Sequence, residues 1–157
     1  MNYNQLFSSF QDQQIMVALI GAGQFGETFI RQCRRISGMQ ISFVCDLQPE
    51  RARAALLAAG YDKSAFVSVG SNEEAATAFN NGQIIITADY RLITGLALDC
   101  VVEATGSPEA AAQVGQITLM SGFHLVMITK EADIVVGPYL HKLAKAAGRH
   151  VTPAHGD

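Results

Sequence analysis

The chain has 157 residues, 49% hydrophobic and 16% charged, with 14 Gly, 4 Pro, no Trp and a formal net charge of -3. That length suits one domain, which buries roughly 70% of the surface its unfolded form exposes and needs no staples. High apolar content with low net charge excludes a disordered chain, and the acidic balance offers no basic stripe to nucleic acid.

The first fourteen residues carry four Gln, two Asn and an Asp but no Lys or Arg. They lack the charged start of a signal peptide and read as an N-terminal extension, residues 1–14. The apolar run from Ile15 to Ile20 stops at Gly21-Ala22-Gly23, far short of the ~20 residues that a spanning helix requires. No membrane partner and a cytoplasmic location are expected. Cys33, Cys45 and Cys100 form no CxxC pair, which argues against a disulfide framework or a zinc site. Cys45 and Cys100 read as small buried hydrophobes at strand edges.

From Ile15 onward, apolar runs alternate with helical patterns. Ile15–Ile20 is a continuous apolar run, as in a strand covered on both faces. Residues 24–37 place Phe25, Phe29, Cys33 and Ile36 on one helical face. Ile41–Cys45 is the second strand. A helix over Pro49–Ala59 follows, with Pro in its first turn and Gly60 at its stop. Ser71 and Glu74 form a capping box for a short helix to Phe79. Gln83–Thr87 is a strand, and Asp89 caps a short turn of helix. Cys100–Ala104 is a strand, Ser107-Pro108 opens a helix to about Ser121, and His124–Thr129 is a strand. A last helix over Pro138–Ala147 is stopped by Gly148, and His150–Thr152 begins one more strand. Six strands alternating with helices predict a doubly wound, mostly parallel α/β sheet, the Rossmann dinucleotide-binding fold.

Gly21-Ala22-Gly23-Gln24-Phe25-Gly26 matches G-x-G-x-x-G. It follows an apolar strand and opens a helix, and Asp46 lies twenty residues after Gly26 at the end of the second strand. That context is what the motif demands. Gly21 permits the tight turn, Gly23 lets backbone approach a pyrophosphate, and Gly26 lets the helix pack close. Free N–H groups at the helix start, including those of Gln24 and Phe25, would bind phosphate with the helix dipole behind them. Asp46 would accept from an adenosine ribose and repel a 2′-phosphate, which favours NAD over NADP. Asp46 can also cap the second helix, and Arg51 lies near enough in sequence to reach a phosphate.

Ligands of such sheets lie beyond the carboxyl ends of the strands. Glu103-Ala104-Thr105-Gly106 and Thr129-Lys130-Glu131 occupy two of those ends. Backbone groups of Ala104 and Gly106 and the Thr105 hydroxyl are expected at the nicotinamide ribose. Lys130 would bring a cation to a carbonyl or alkoxide oxygen and is the candidate catalytic residue; it reads alternatively as a solvated Lys in a turn. Glu103 reads equally as a carboxylate paired with a neighbour near the strand end. His124 and His141 read as structural, in a helix–strand turn and on an exposed helix face.

The runs Val17–Gly26, Val101–Gly106, Lys130-Glu131-Ala132-Asp133 and His155-Gly156-Asp157 resemble the N-terminal half of homoserine dehydrogenase-like oxidoreductases. The nearest branch carries a C-terminal SAF domain and includes 1-deoxy-D-xylulose 5-phosphate reductoisomerase-like proteins. In homoserine dehydrogenases the segment matching Thr129-Lys130 is Asn-Lys, with the Lys beside nicotinamide and substrate. Here Thr129 replaces the Asn, so the cation is kept and the Asn contact is not. The resemblance implies NAD(P)-dependent oxidation or reduction of a small hydroxy or carbonyl compound. It also implies that substrate-binding and acid/base residues, and the surfaces of a homo-oligomer, belong to a following α+β domain. Residues 15–157 are then the cofactor domain of a longer chain, inactive alone. A non-enzymatic NAD(H)-sensing regulatory module, or the same fold holding a flavin or S-adenosyl nucleotide, stand as rivals.

Overall fold

The computed structural model describes residues 13–154. Most of the N-terminal extension and the closing His155-Gly156-Asp157 lie outside the described residues. The strands are β1 (Ile15–Ile20), β2 (Met39–Cys45), β3 (Phe66–Ser68), β4 (Ile84–Thr87), β5 (Cys100–Glu103), β6 (His124–Met127) and β7 (Val151–Pro153). The helices are α1 (Gln24–Cys33), α2 (Pro49–Ala58), α3 (Asn72–Asn80), α4 (Pro108–Met120) and α5 (Lys130–Ala147). Short 3-10 turns lie at Lys63–Ala65 and Tyr90–Ile93.

One sheet runs in the order β3-β4-β2-β1-β5-β6-β7, and every pairing in it is parallel. Parallel neighbours require crossovers that put helices on both faces. That is why Val17–Ile20 is buried without a break. Ala18 and Ile20 pack into a core with Ile85, Leu92 and Val114 on one face, while Val17 and Leu19 pack with Ile30, Ala52 and Leu56 on the other. A third cluster joins Leu125 and Met127 of β6 to Ala111 and Leu119 of α4 and to Leu140 of α5.

The β1–β2 register shifts between Val17 and Ala18, whose partners are Ile41 and Phe43. Ser42 is the extra residue of this bulge, and its hydroxyl donates to the Val17 carbonyl at 3.4 Å. The insertion reverses the alternation, so Ile41 faces one core and Phe43 the other.

The fold class is as expected, with three differences in detail. The sheet has seven strands, not six. The additional strand, β3, has three residues directly after a 3-10 turn, too few to carry a readable period. α1 ends at Cys33, and its buried face is Gly26, Ile30 and Cys33. Phe25 and Ile36 are about half exposed, at 44% and 49%, because the helix sets Gly26, not Phe25, against the sheet. The last helix begins at Lys130 and contains Pro138. A mid-helix proline costs about 3 kcal/mol, but Pro138 lies on the exposed side while Ala132, Leu140 and Ala144 anchor the helix. Lys130 therefore sits in a helix's first turn.

β1 and β5 are neighbours, and the chain leaves β1 towards β2 on one side and β5 towards β6 on the other. The carboxyl ends of β1 and β5 thus frame the topological switch point, where open α/β sheets bind their ligands.

Candidate functional site

The three glycines of the first turn answer three different demands. Gly21 has φ +105, and a Cβ there would stand 2.3 Å from the Ala104 carbonyl oxygen, so only glycine lets this turn cross the end of β5. A Cβ on Gly26 would stand 2.2 Å from the Gly21 carbonyl oxygen, so α1 packs directly on the turn. A Cβ on Gly23 would meet nothing within 4 Å. Its demand comes from the open side, where a ligand would approach. Gly23 is the N-cap of α1, and no side chain caps the helix. The first N–H groups of a helix have no intrahelical acceptor, so this end presents donors and the positive end of a dipole. Phe25 contributes backbone there; its ring turns outward and stacks on Phe29 with centroids 6.2 Å apart.

Asp46 faces this turn from the end of β2. Its Oδ2 accepts the Ala22 N–H at 2.8 Å, and its Oδ1 accepts the Gln48 N–H at 2.9 Å. The carboxylate closes the loop into α2, whose N-cap is Gln48 without a side-chain cap, so Asp46 does not cap that helix. A cavity of about 320 Å³ opens beside it, lined among others by Gly21, Asp46, Leu47, Arg51, Tyr90 and Val114. Arg51 also lines the groove between α1 and α2 that runs past Gly23. Nearby, Asp89 accepts from Nε and Nη2 of Arg91 at 2.8 and 2.9 Å. That side-chain hydrogen bond is the main reason its carboxyl is held below the usual range. Cys45 is among the residues that line the cavity, and burial, with Asp46 and Asp89 adding to it, pushes its thiol up to about 12.

The loop after β5, expected at the nicotinamide ribose, differs from expectation in one respect. Thr105 does not turn its hydroxyl outward: Oγ1 donates to Glu103 Oε1 at 2.7 Å. Glu103 is fully buried at 0% exposure. Its carboxylate accepts the Thr105 N–H at 2.7 Å, the Thr129 hydroxyl at 2.9 Å and the Thr129 N–H at 3.3 Å. Thr129 Oγ1 in turn accepts the Gly106 N–H at 3.1 Å. The paired neighbour anticipated for Glu103 is thus a set of neutral donors from two loops. The replacement of Asn by Thr at 129 fits this inward role. From this loop Thr105 and Ser107 line the cavity, whereas Ala104 and Gly106 are not among its lining residues; Gly106 is exposed at φ +69. Lys130 is exposed at the start of α5, directly after Thr129.

Turn, carboxylate and cavity lie together, so the chain's residues fit a dinucleotide: uncapped donors for a diphosphate, an acceptor for a ribose, and room beside both. Leu47 and Tyr90 are cavity residues that sequence reasoning missed. Both follow strand ends by a few residues, and nothing in their own pattern marks them. Among the described residues, no helix is long and apolar enough to cross a membrane, and no group of three or more His, Cys, Asp or Glu could hold a metal ion.

Comparison with known proteins agrees with this fold. The family model for the homoserine dehydrogenase NAD-binding domain matches residues 21–153. No curated protein matches the chain. Among solved structures, a homoserine dehydrogenase from Thiobacillus denitrificans is similar at 20% identity and TM-score 0.64, covering 89% of this chain and 29% of that one. The WlbA dehydrogenase from Bordetella pertussis, in complex with NADH and UDP-GlcNAcA, is similar at 20% identity and TM-score 0.62, covering 90% and 37%. Biliverdin reductase from Synechocystis, in complex with biliverdin and NADP+, is similar at 17% identity and TM-score 0.59, covering 90% and 38%. The chain spans about a third of the length of these proteins. Nothing among the matches favours the regulatory alternative. With the family model covering most of its length, the chain belongs to the homoserine dehydrogenase NAD-binding domain family.

Proposed function

We propose that this chain is the cofactor-holding part of an NAD-dependent oxidoreductase acting on a small hydroxy or carbonyl substrate. The carrying observation is the pairing of an uncapped α1 start with the Asp46 carboxylate, bridged by the Ala22 N–H at 2.8 Å. The N–H groups of Gly23, Gln24, Phe25 and Gly26 bind the diphosphate. Asp46 uses its remaining lone pairs on the adenosine ribose. Ala104, Thr105 and Gly106 border the nicotinamide ribose through their backbone. Hydride chemistry is what the dinucleotide supplies when bound.

Lys130 places a positive charge at the positive end of the α5 dipole. Stability alone prefers the opposite sign there. Two positive sources at one end of the crevice suit an oxygen that gains negative charge as a carbonyl or alkoxide reacts. A following α+β domain supplies the substrate contacts, the acid or base and the surfaces of a homo-oligomer. Lys130-Glu131-Ala132-Asp133 and His155-Gly156-Asp157 support the SAF-domain branch, and the cytoplasm is the proposed location. Arg51, lining both cavity and groove, leaves NADP as the second cofactor.

Titration of the protein with NADH, followed by nicotinamide fluorescence, tests the reading. Saturable binding that ADP competes away is expected; an unchanged spectrum in the presence of folded protein overturns it.

A further inference from the structure

The loop between β5 and α4 has an unusual hydrogen-bond polarity. Four consecutive N–H groups, those of Ala104, Thr105, Gly106 and Ser107, all donate inward, to Ile20 O, Glu103 Oε1, Thr129 Oγ1 and Thr105 Oγ1 at 2.7, 2.7, 3.1 and 3.2 Å. The next residue, Pro108, has no N–H. Three of the four assignments trace to one group. Glu103 takes the Thr105 N–H directly. It draws the Thr129 hydroxyl proton, which leaves that oxygen's lone pairs for Gly106. It draws the Thr105 hydroxyl proton, which leaves that oxygen for Ser107. A carboxylate has no proton to give, so a hydroxyl facing it must donate; the Thr105 hydroxyl has another acceptor in the Ser107 carbonyl, but a longer one at 3.3 Å. Among the described residues, no backbone N–H outside the regular elements donates to the carbonyl oxygens of Thr105 or Gly106.

We propose that Glu103 is a positioning residue that turns the β5–α4 loop into an acceptor-only surface facing the nicotinamide half of the dinucleotide. This rests on the cofactor reading above and assigns a division of labour within it. The α1 turn offers donors and takes the diphosphate. The β5–α4 loop offers carbonyl oxygens and takes donors: the hydroxyls of the nicotinamide-side ribose and the carboxamide N–H groups. Because Thr129 is the N-cap of α5, the same carboxylate ties this loop to the helix that carries Lys130. A Gln at 103 would bring an N–H₂ against neighbours that are all donors. With the amide oxygen in the Oε1 place, the N–H₂ meets only the Thr129 N–H and both hydroxyls keep their orientation, whereas a Leu at 103 removes the acceptor altogether and frees both hydroxyls to turn.

The test compares NADH with ADP, which keeps the adenosine and diphosphate but lacks the nicotinamide and its ribose. Dissociation constants are measured for the wild-type chain, Glu103→Leu and Thr129→Val. Each variant is expected to weaken NADH about tenfold, the effect of one or two hydrogen bonds lost or reversed, while ADP changes by less than about twofold. If Glu103→Leu does not fold, Thr129→Val carries the same comparison, since it removes the hydroxyl that links Glu103 to Gly106 and leaves the Glu103 bonds to Thr105 in place. Parallel loss of both ligands would mean that Glu103 merely staples strand ends, and unchanged NADH binding would leave it without a positioning role; either overturns the proposal. Wild-type protein that binds neither ligand overturns the cofactor reading itself, and this proposal with it.

Discussion

Asp46 and Ala22 are joined by a 2.8 Å hydrogen bond from the Ala22 N–H to the Asp46 carboxylate, across 24 residues of sequence. The bond does two things at once. It fixes the glycine turn, and it orients the carboxylate beside the cavity. Replacing Asp46 by Ala removes the ribose acceptor and loosens the turn that holds the diphosphate. NADH affinity is expected to fall about tenfold, as for a charge-assisted hydrogen bond. Fluorescence titration measures this, and an unchanged affinity would remove Asp46 from the site.

The same carboxylate sets cofactor preference. Its charge opposes a 2′-phosphate, while the Arg51 side chain lines the same cavity. Asp46→Asn removes the repulsion and keeps the shape. The ratio of NADPH to NADH affinity is expected to rise in Asp46→Asn and to fall in Arg51→Ala. Parallel titrations with the two cofactors check both directions.

The glycines of the turn separate stability from binding. Gly23→Ala adds a methyl in open space, so unfolding is expected to stay within about 0.5 kcal/mol of wild type while NADH binding weakens. Gly26→Ala drives a Cβ to within 2.2 Å of a backbone oxygen and is expected to cost at least about 1–3 kcal/mol. At this chain length that lowers Tm by roughly 2–4 °C per kcal/mol. Thermal melts alongside titrations distinguish the two; equal losses of stability would contradict the geometry.

At the opposite end of the sheet, His124 and His150 stack with centroids 5.3 Å apart, and His124 Nδ1 accepts the His150 N–H at 3.1 Å. Protonation of Nδ1 breaks that bond. Burial, followed by the charges of His150 and Arg149, lowers the His124 pKa from 6.5, against the opposing pull of Asp99. The unfolded chain therefore takes up this proton first. Stability is full above pH 6.5 and declines as the pH falls below it, until the folded-state pKa is also passed. Melting temperatures between about pH 5 and 8 should show this decline in wild type and less of it in His124→Gln. Identical profiles would show that the pair does not titrate across that range.

The cysteines are expected to be inert. Burial raises Cys33 and Cys100 to about 11 and Cys45 to about 12, so almost no thiolate exists near neutrality. Mass spectrometry after iodoacetamide treatment of the native chain should find these three thiols unmodified, and rapid labelling of Cys45 would contradict its burial.

Legibility in the sequence followed the range of the forces involved. The Gly21–Gly26 turn and Asp46 were readable because each glycine's constraint is local and the spacing to Asp46 follows from one strand–helix–strand unit. β1 was readable because burial on both faces makes a continuous apolar run. β3 was not, since three residues carry no readable period and their place comes from distant partners: β4 beside them and Arg53 of α2. α5 was cut short at Pro138, because a local rule about proline carries no knowledge of which side of the helix faces water. Thr105 was read outward for a similar reason. Its partners Glu103 and Thr129 come from two different strand ends, and only the parallel pairing of β5 with β6 brings the 26-residue separation of Glu103 and Thr129 down to 2.9 Å.

The outer strand β7 ends at Pro153, opposite Met127 in the ladder, and the next residue, Ala154, donates its N–H inward to Met127. Residues alternate in direction along a strand, so the position without an N–H is one that would have pointed outward. The other margin, β3, is only three residues long. Both rims of the sheet are therefore poor templates for a foreign strand, and self-association by adding strand to strand is discouraged at either border.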